Sequence, residues 1–269
     1  MNTQQEEIPM TQQNPKDWKT YDQFAYGIDT NRLPATDALS GSSHTITFDD
    51  GRRLELSFTK GTVNWFDGHD RAQDSAEVIE VADNTFFIEI IFAARPKEAE
   101  TIILNTAKGR ALSIYSIVRD KEQSVGEPQV AQIFRTGTTG AAASDTVPPA
   151  ETRDLIGLRA HFTYSPNHVY EHTYLSSQRY AWQCLVGVQR GHGDVDLTTT
   201  YKFDDDQYVF TFREFKIAVA STFFYNFKDM RSTGKFLGIT GDGRIQNSPA
   251  GAFIRKASMT DYLPGQEPV

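Results

Sequence analysis

The chain reads as an all-β protein built from two antiparallel barrels in tandem. Three observations carry this reading. Most of the sequence consists of short runs of alternating apolar and polar residues, rich in Phe, Tyr, Ile, Val and Thr. Turn signals such as Asp49-Asp50-Gly51 and Ser165-Pro166-Asn167 separate the runs, and sustained helical periodicity is scarce. The third observation is an internal repeat, with the same segments recurring in the same order.

The organisation follows in chain order. Residues 1–36 form a polar, flexible arm with a lead-in containing Trp18, Tyr21, Phe24 and Tyr26. Residues 37–135 form the first barrel. A stretch of small residues with Gly and Pro, 136–150, is the expected linker. The second barrel spans 151–258, and 259–269 is a tail. Gly51 and Asn167 mark the tight turns at which equivalent hairpins fold back.

Three segments of the two halves align without gaps. Ile46 to Glu55 sets on Phe162 to Glu171, Thr85 to Phe92 on Gln207 to Glu214, and Thr101 to Asn105 on Thr222 to Asn226. Shared turn chemistry between unrelated meanders is the alternative explanation. Because alternate residues of a strand share a face, the alignment also shows where the copies differ. The apolar face of Leu54, Leu56 and Phe58 becomes Tyr170, His172 and Tyr174. The face of Phe86, Ile88, Ile90 and Phe92 becomes Tyr208, Phe210, Phe212 and Glu214. The first barrel is therefore expected to fill its interior, as small barrels do. The second points hydroxyls, an imidazole and a carboxylate into the same space, so function is expected there.

Composition narrows the classes. The 269 residues carry a net charge of −8, with 39% hydrophobic and 12% aromatic residues. This is enough apolar material for real cores. Lys and Arg are scattered without a basic stripe, which argues against nucleic acid or an anionic membrane as partner. The single cysteine, Cys184, rules out an intramolecular disulfide and a cysteine zinc cluster. The first 20 residues lack the apolar run of a signal peptide, and no stretch approaches a membrane span; a cytoplasmic setting is expected. A homodimer is compatible with the sequence.

The candidate residues each have a functional and a structural explanation. A carboxylate on an aromatic face is costly unless paired or used, so Glu214 is the leading acid/base group; capping by Arg213 is the alternative. Tyr164, in the place of Phe48, could orient a polar substituent, or simply be a buried tyrosine bonded to a carbonyl. His192 lies in the glycine-rich Arg190–Asp196 segment, read as a mobile loop able to bring the imidazole over a ligand. Phe162, Tyr170, His172, Tyr174, Tyr180, Trp182, Tyr208 and Phe212 are the expected pocket lining. His161, His168, His172 and His192 are close in sequence but lack metal-ligand spacing, so no metal is expected.

At these residues the sequence resembles the MoaF-like family, labelled molybdenum cofactor biosynthesis protein F. The motifs are Tyr170-Glu171-His172-x-Tyr174, Tyr180-x-Trp182-Gln183-Cys184-Leu185-x-Gly187, Tyr201-Lys202, Phe212-Arg213-Glu214 and Ser232-Thr233-Gly234-Lys235. The resemblance implies two calycin-like (lipocalin-type) barrels. More remotely, the second half is similar to bacterial phenolic acid decarboxylases, single calycin barrels. That likeness places a catalytic glutamate on Glu214 and a Tyr-x-Tyr strand on Phe162-Thr163-Tyr164. It also places a substrate-holding arginine on His192. Phe162 and His192 depart from the pattern, which weakens the anchoring of a carboxylate or phenolate.

The expectation is a cofactor-independent acid/base enzyme of the lyase, hydratase or isomerase class. Its substrate would be a small aromatic or conjugated molecule in the second barrel. The alternative is a lipocalin-like binding or carrier protein for a small hydrophobic ligand, or an accessory protein of a metabolic operon.

Overall fold

The computed structural model describes residues 18–140 and 146–269. The expected flexible arm, 1–16, and residues 141–145 of the expected linker lie outside them. A five-residue helix, α1 (Tyr21–Ala25), precedes the first barrel. That barrel runs through β1 (Ser43–Phe48), β2 (Arg53–Thr59), β3 (Thr62–Phe66), β4 (Arg71–Ala82), β5 (Thr85–Ile91), β6 (Glu98–Asn105), β7 (Arg110–Val118) and β8 (Val130–Thr139). After the two-residue β9 (Ala150–Glu151) come β10 (Leu158–Ser165), β11 (His168–Tyr174), β12 (Arg179–Val186) and β13 (Gly193–Asp204). The chain ends with β14 (Gln207–Arg213), β15 (Val219–Asn226), β16 (Arg231–Ile239) and β17 (Ile245–Met259). Strand β8 thus extends into the segment expected as linker, and β17 reaches one residue into the expected tail.

Each half is an up-and-down antiparallel barrel of eight strands. The first closes through β1 and β8, the second through β10 with β17 and β12 with β13. The registers agree with the internal repeat. Ile46 faces Leu54 as Phe162 faces Tyr170, and Phe87 faces Ile103 as Val209 faces Phe224. The duplication is therefore strand for strand. Among the described residues no helix is long and apolar enough to cross a membrane.

Alternation alone would leave one face of each strand in water, yet β5, β6, β15 and β16 are buried almost throughout. The reason is that the barrels pack on each other. Ile79, Val81, Phe87 and Ile103 of the first form one cluster with Tyr201, Phe203, Val209 and Phe224 of the second. By the repeat these are four pairs of equivalent positions, so each barrel presents the same patch to the other. Such a contact is isologous, the kind that a two-fold homodimer makes.

A polar seam crosses the same contact. Lys235 is buried and its Nζ lies 2.8 Å from Glu77, which also pairs with Arg32. Glu89, fully buried, accepts hydrogen bonds from Thr101 and from Asn247 of the other barrel. Asn226 Nδ2 donates to Val81 O at 3.0 Å, and Gln132 Nε2 to Ser221 O at 2.9 Å. Lys235→Ala removes one of the two cations at Glu77 together with the packing of a buried lysine stem, and is expected to lower stability by about 2 kcal/mol in chemical denaturation. A loss below about 1 kcal/mol would mean that the seam contributes little.

Candidate functional site

The first barrel's interior is filled. Leu54, Leu56, Phe58, Phe86, Ile88, Ile90 and Phe92 share one core. Its buried Glu100 is fully partnered: Arg52 meets it with two hydrogen bonds at 2.6 and 3.0 Å, and Ser113 donates a third at 2.6 Å. Glu100 follows the inward alternation of Ile102 and Leu104 and was not singled out from the sequence.

The second barrel differs at the equivalent places. Near its mouth lies a cavity of about 30 Å³ bounded by Tyr164, Tyr170, His172, Tyr180, Trp182, Phe212 and Glu214, with Gln189, Phe24, Ile28 and Phe236 completing it. Glu214 is only 6% exposed, and its carboxyl makes no hydrogen bond among the described residues. Burial, reinforced by Asp196 and Asp194, raises its pKa well above the usual carboxylate range. The expected capping arginine is elsewhere: Arg213 points to the first barrel, donating to Gln132 at 3.2 Å and to Thr199 at 3.0 Å.

The neighbours of Glu214 are also under-partnered. The hydroxyl of Tyr180 and Nδ1 of His172 are buried without hydrogen bonds. Burial lowers the His172 pKa to about 3, so its ring is neutral. Burial raises the Tyr164 pKa, keeping the phenol protonated. Tyr170 donates to Gln189 Oε1 at 2.8 Å. Trp182 donates from Nε1 to Asp196 at 3.0 Å, and Phe215 N–H reaches the same carboxylate at 3.4 Å. The first barrel repeats this bracket: Trp65 donates to Asp74 at 2.8 Å, and Ala93 N–H at 2.9 Å. In that copy Phe92 stands where Glu214 stands here, its ring 5.4 Å from Trp65.

Other predicted residues take different places. Phe162 and Tyr174 sit deeper, the first 4.4 Å from the His172 ring, the second hydrogen-bonded to Tyr225 at 3.2 Å. Tyr208 bonds Asp154 at 3.0 Å beside Phe227 and does not line the cavity. His192 does not line it either. It packs edge-on against Trp18 at 5.3 Å, with Nδ1 3.1 Å from Gln189 O, and faces an outer groove with Glu171 and Asp194. The glycine-rich loop and its flank instead deliver Gln189 inward, for which the sequence carried no signal. The histidines do not converge: His161 meets Glu171 and Arg255, and His168 meets Ser165. Among the described residues no three His, Cys, Asp or Glu side chains are grouped to hold a metal.

The lead-in closes the mouth. Phe24 and Ile28 project from α1 and the turn after it, while Tyr21 donates to Phe236 O at 2.6 Å and accepts from Ser248 N–H at 3.0 Å. Trp18 lies across Trp182 at 5.8 Å, with Lys216 over its ring at 4.0 Å. A cavity that takes up benzene measures roughly 150 Å³. A ring therefore enters only when these side chains move.

Comparison with known proteins agrees with the duplication. The MoaF N-terminal domain matches residues 16–120, and the MoaF C-terminal domain matches residues 149–260. The chain belongs to the MoaF family. Protein MoaF of Klebsiella aerogenes is 32% identical over 187 residues, covering 65% of this chain and 71% of the relative. Among solved structures, a putative beta-lactamase from Burkholderia vietnamiensis aligns with 40% of this chain and 100% of its own. Its TM-score is 0.35 at 11% identity. The beta chain of DNA polymerase III from Streptococcus pneumoniae aligns over 87% of this chain and 82% of its own, with a TM-score of 0.15 at 6% identity. Scores this low carry no argument about the MoaF fold or its chemistry.

Two outcomes test the site's geometry. The folded Glu214 carboxyl holds its proton more tightly than the unfolded chain does. Its contribution is full below the unfolded carboxyl range and is lost as pH rises toward the raised folded value. Glu214→Gln should therefore gain melting temperature over the parent as pH goes from about 5 to about 8. Parallel melting curves for the two proteins would count against an unpaired buried carboxyl. Phe24→Ala should cost about 3 kcal/mol and steepen acrylamide quenching of tryptophan fluorescence. Unchanged quenching would mean that Phe24 does not seal the cavity.

Proposed function

We propose that the second barrel is a small-molecule site in which the Glu214 carboxyl moves a proton to or from a conjugated or aromatic ligand. The chemistry would be cofactor-independent, of the lyase, hydratase or isomerase class. One observation carries this reading: a carboxyl buried against aromatic rings with no hydrogen bond among the described residues, at a position that Phe92 fills in the sister barrel. The fold does not need a carboxyl there, and leaving it unpaired is destabilising. A carboxyl held neutral near neutral pH is suited to giving a proton and taking one back. Tyr164 and Tyr180 would orient a polar substituent of the ligand. His192 would have to rotate past Trp18 and Trp182 to take part, so the second acid/base role falls more naturally to His172 or to water.

A binding or carrier role is the second reading, favoured by the closed aromatic enclosure and its plug of Trp18, Phe24 and Ile28. One experiment separates the two. The parent and Glu214→Gln are incubated with a panel of conjugated single-ring compounds, followed by absorbance and proton NMR. The acid/base reading expects at least one compound to be consumed by the parent. The variant should bind it within about threefold and turn it over about a hundredfold or more slowly. Binding without consumption of any compound supports the carrier reading instead.

A further inference from the structure

We infer that the cavity selects an uncharged molecule that carries a hydroxyl or carbonyl group at its inner end. The inference rests on the cavity being a ligand site and adds the class of ligand.

The inner end supplies the first argument. His172 Nδ1 and the Tyr180 hydroxyl are both fully enclosed, both border the cavity and both lack a partner. Their ring centroids stand 5.2 Å apart on neighbouring strands, which brings both groups to one part of the cavity wall. Buried polar groups left without partners cost free energy, and a ligand that supplies a donor and an acceptor recovers it. A hydroxyl or carbonyl does so; a bare hydrocarbon does not.

Charge supplies the second. Among the described residues no lysine or arginine borders the cavity. Lys216, the cation that acts on Glu214, is engaged with Asp194 at 2.8 Å and with the Trp18 ring. Burial favours the neutral forms of Glu214, the tyrosines and His172, and Asp196 and Asp194 add negative charge that acts on Glu214. An anion would thus lose its hydration, gain no counter-ion and sit near two carboxylates. An ammonium would gain Glu214 as a counter-ion, but burying both ions costs about what their attraction returns. A neutral polar group meets neither cost.

The test is a matched series of single-ring compounds titrated into the full chain near neutral pH: benzyl alcohol, benzoate, benzylammonium and toluene. Tryptophan fluorescence gives the signal, since Trp182 borders the cavity. Benzyl alcohol is expected to bind at least about tenfold more tightly than either ion and about fivefold more tightly than toluene. In Tyr180→Phe and His172→Phe, checked for native circular dichroism, the preference for the alcohol over toluene should fall toward unity. Equal or tighter binding of benzoate or benzylammonium overturns the inference, as does failure of all four to bind. So does an unchanged alcohol preference in both variants. The parent series stands without the variants if either fails to fold. Turnover that depends on Glu214 but acts on an ion would sink the charge rule and leave the acid/base reading intact.

Discussion

The constraint on which this structure rests is that the strands at the contact between the barrels must satisfy two apolar environments at once. One face of β5 or β14 closes a barrel and the other meets the neighbouring barrel. That doubles the apolar demand on the sequence and leaves little freedom for polar substitution. Where charged groups enter the contact they arrive with partners, as Lys235 with Glu77 and Glu89 with Thr101 and Asn247. Glu100, inside the first barrel, follows the same rule with Arg52 and Ser113. Against that background Glu214 is the exception. A buried carboxyl with no hydrogen bond among the described residues is not how this chain treats its other buried acids.

Much of this was legible in the sequence because β-strands report their environment with period two. The repeat placed Leu54, Leu56 and Phe58 opposite Tyr170, His172 and Tyr174, and the registers of β2 and β11 agree. Tyr170, His172, Phe212 and Glu214 follow from strand faces, Tyr164 from its match with Phe48, and all five border the cavity with Tyr180 and Trp182. What escaped depended on loops and on contacts distant in sequence. Alternation does not apply to the Gly187–His192 turn, where the inward residue is Gln189. Nor does it reveal that Phe24 and Ile28, before the first barrel, close the mouth of the second. Tyr208 shows the remaining weakness: the right face of a strand is not yet the right end of a barrel.

The plug couples the two ends of the chain's history of folding. Residues 18–28 come first in sequence, yet they settle on β16, β17 and the loop beyond β12, which follow much later. Contacts of such long sequence separation close slowly and open readily at the surface. The segment is short, with one five-residue helix, and its inward side chains seal a cavity too small for a ring. Access to Glu214 is thereby tied to the docking of a few aromatic side chains and not to opening of the barrel wall.

The paired tryptophan–aspartate brackets have a consequence of another kind. Trp65 with Asp74 and Trp182 with Asp196 hold the same corner of each barrel, whatever residue follows β5 or β14. Position 92 and position 214 are thus interchangeable sockets in a rigid frame, one blank and one fitted with an acid. The molecule carries its own unmodified template, in which chemistry could be written without rebuilding the scaffold around it.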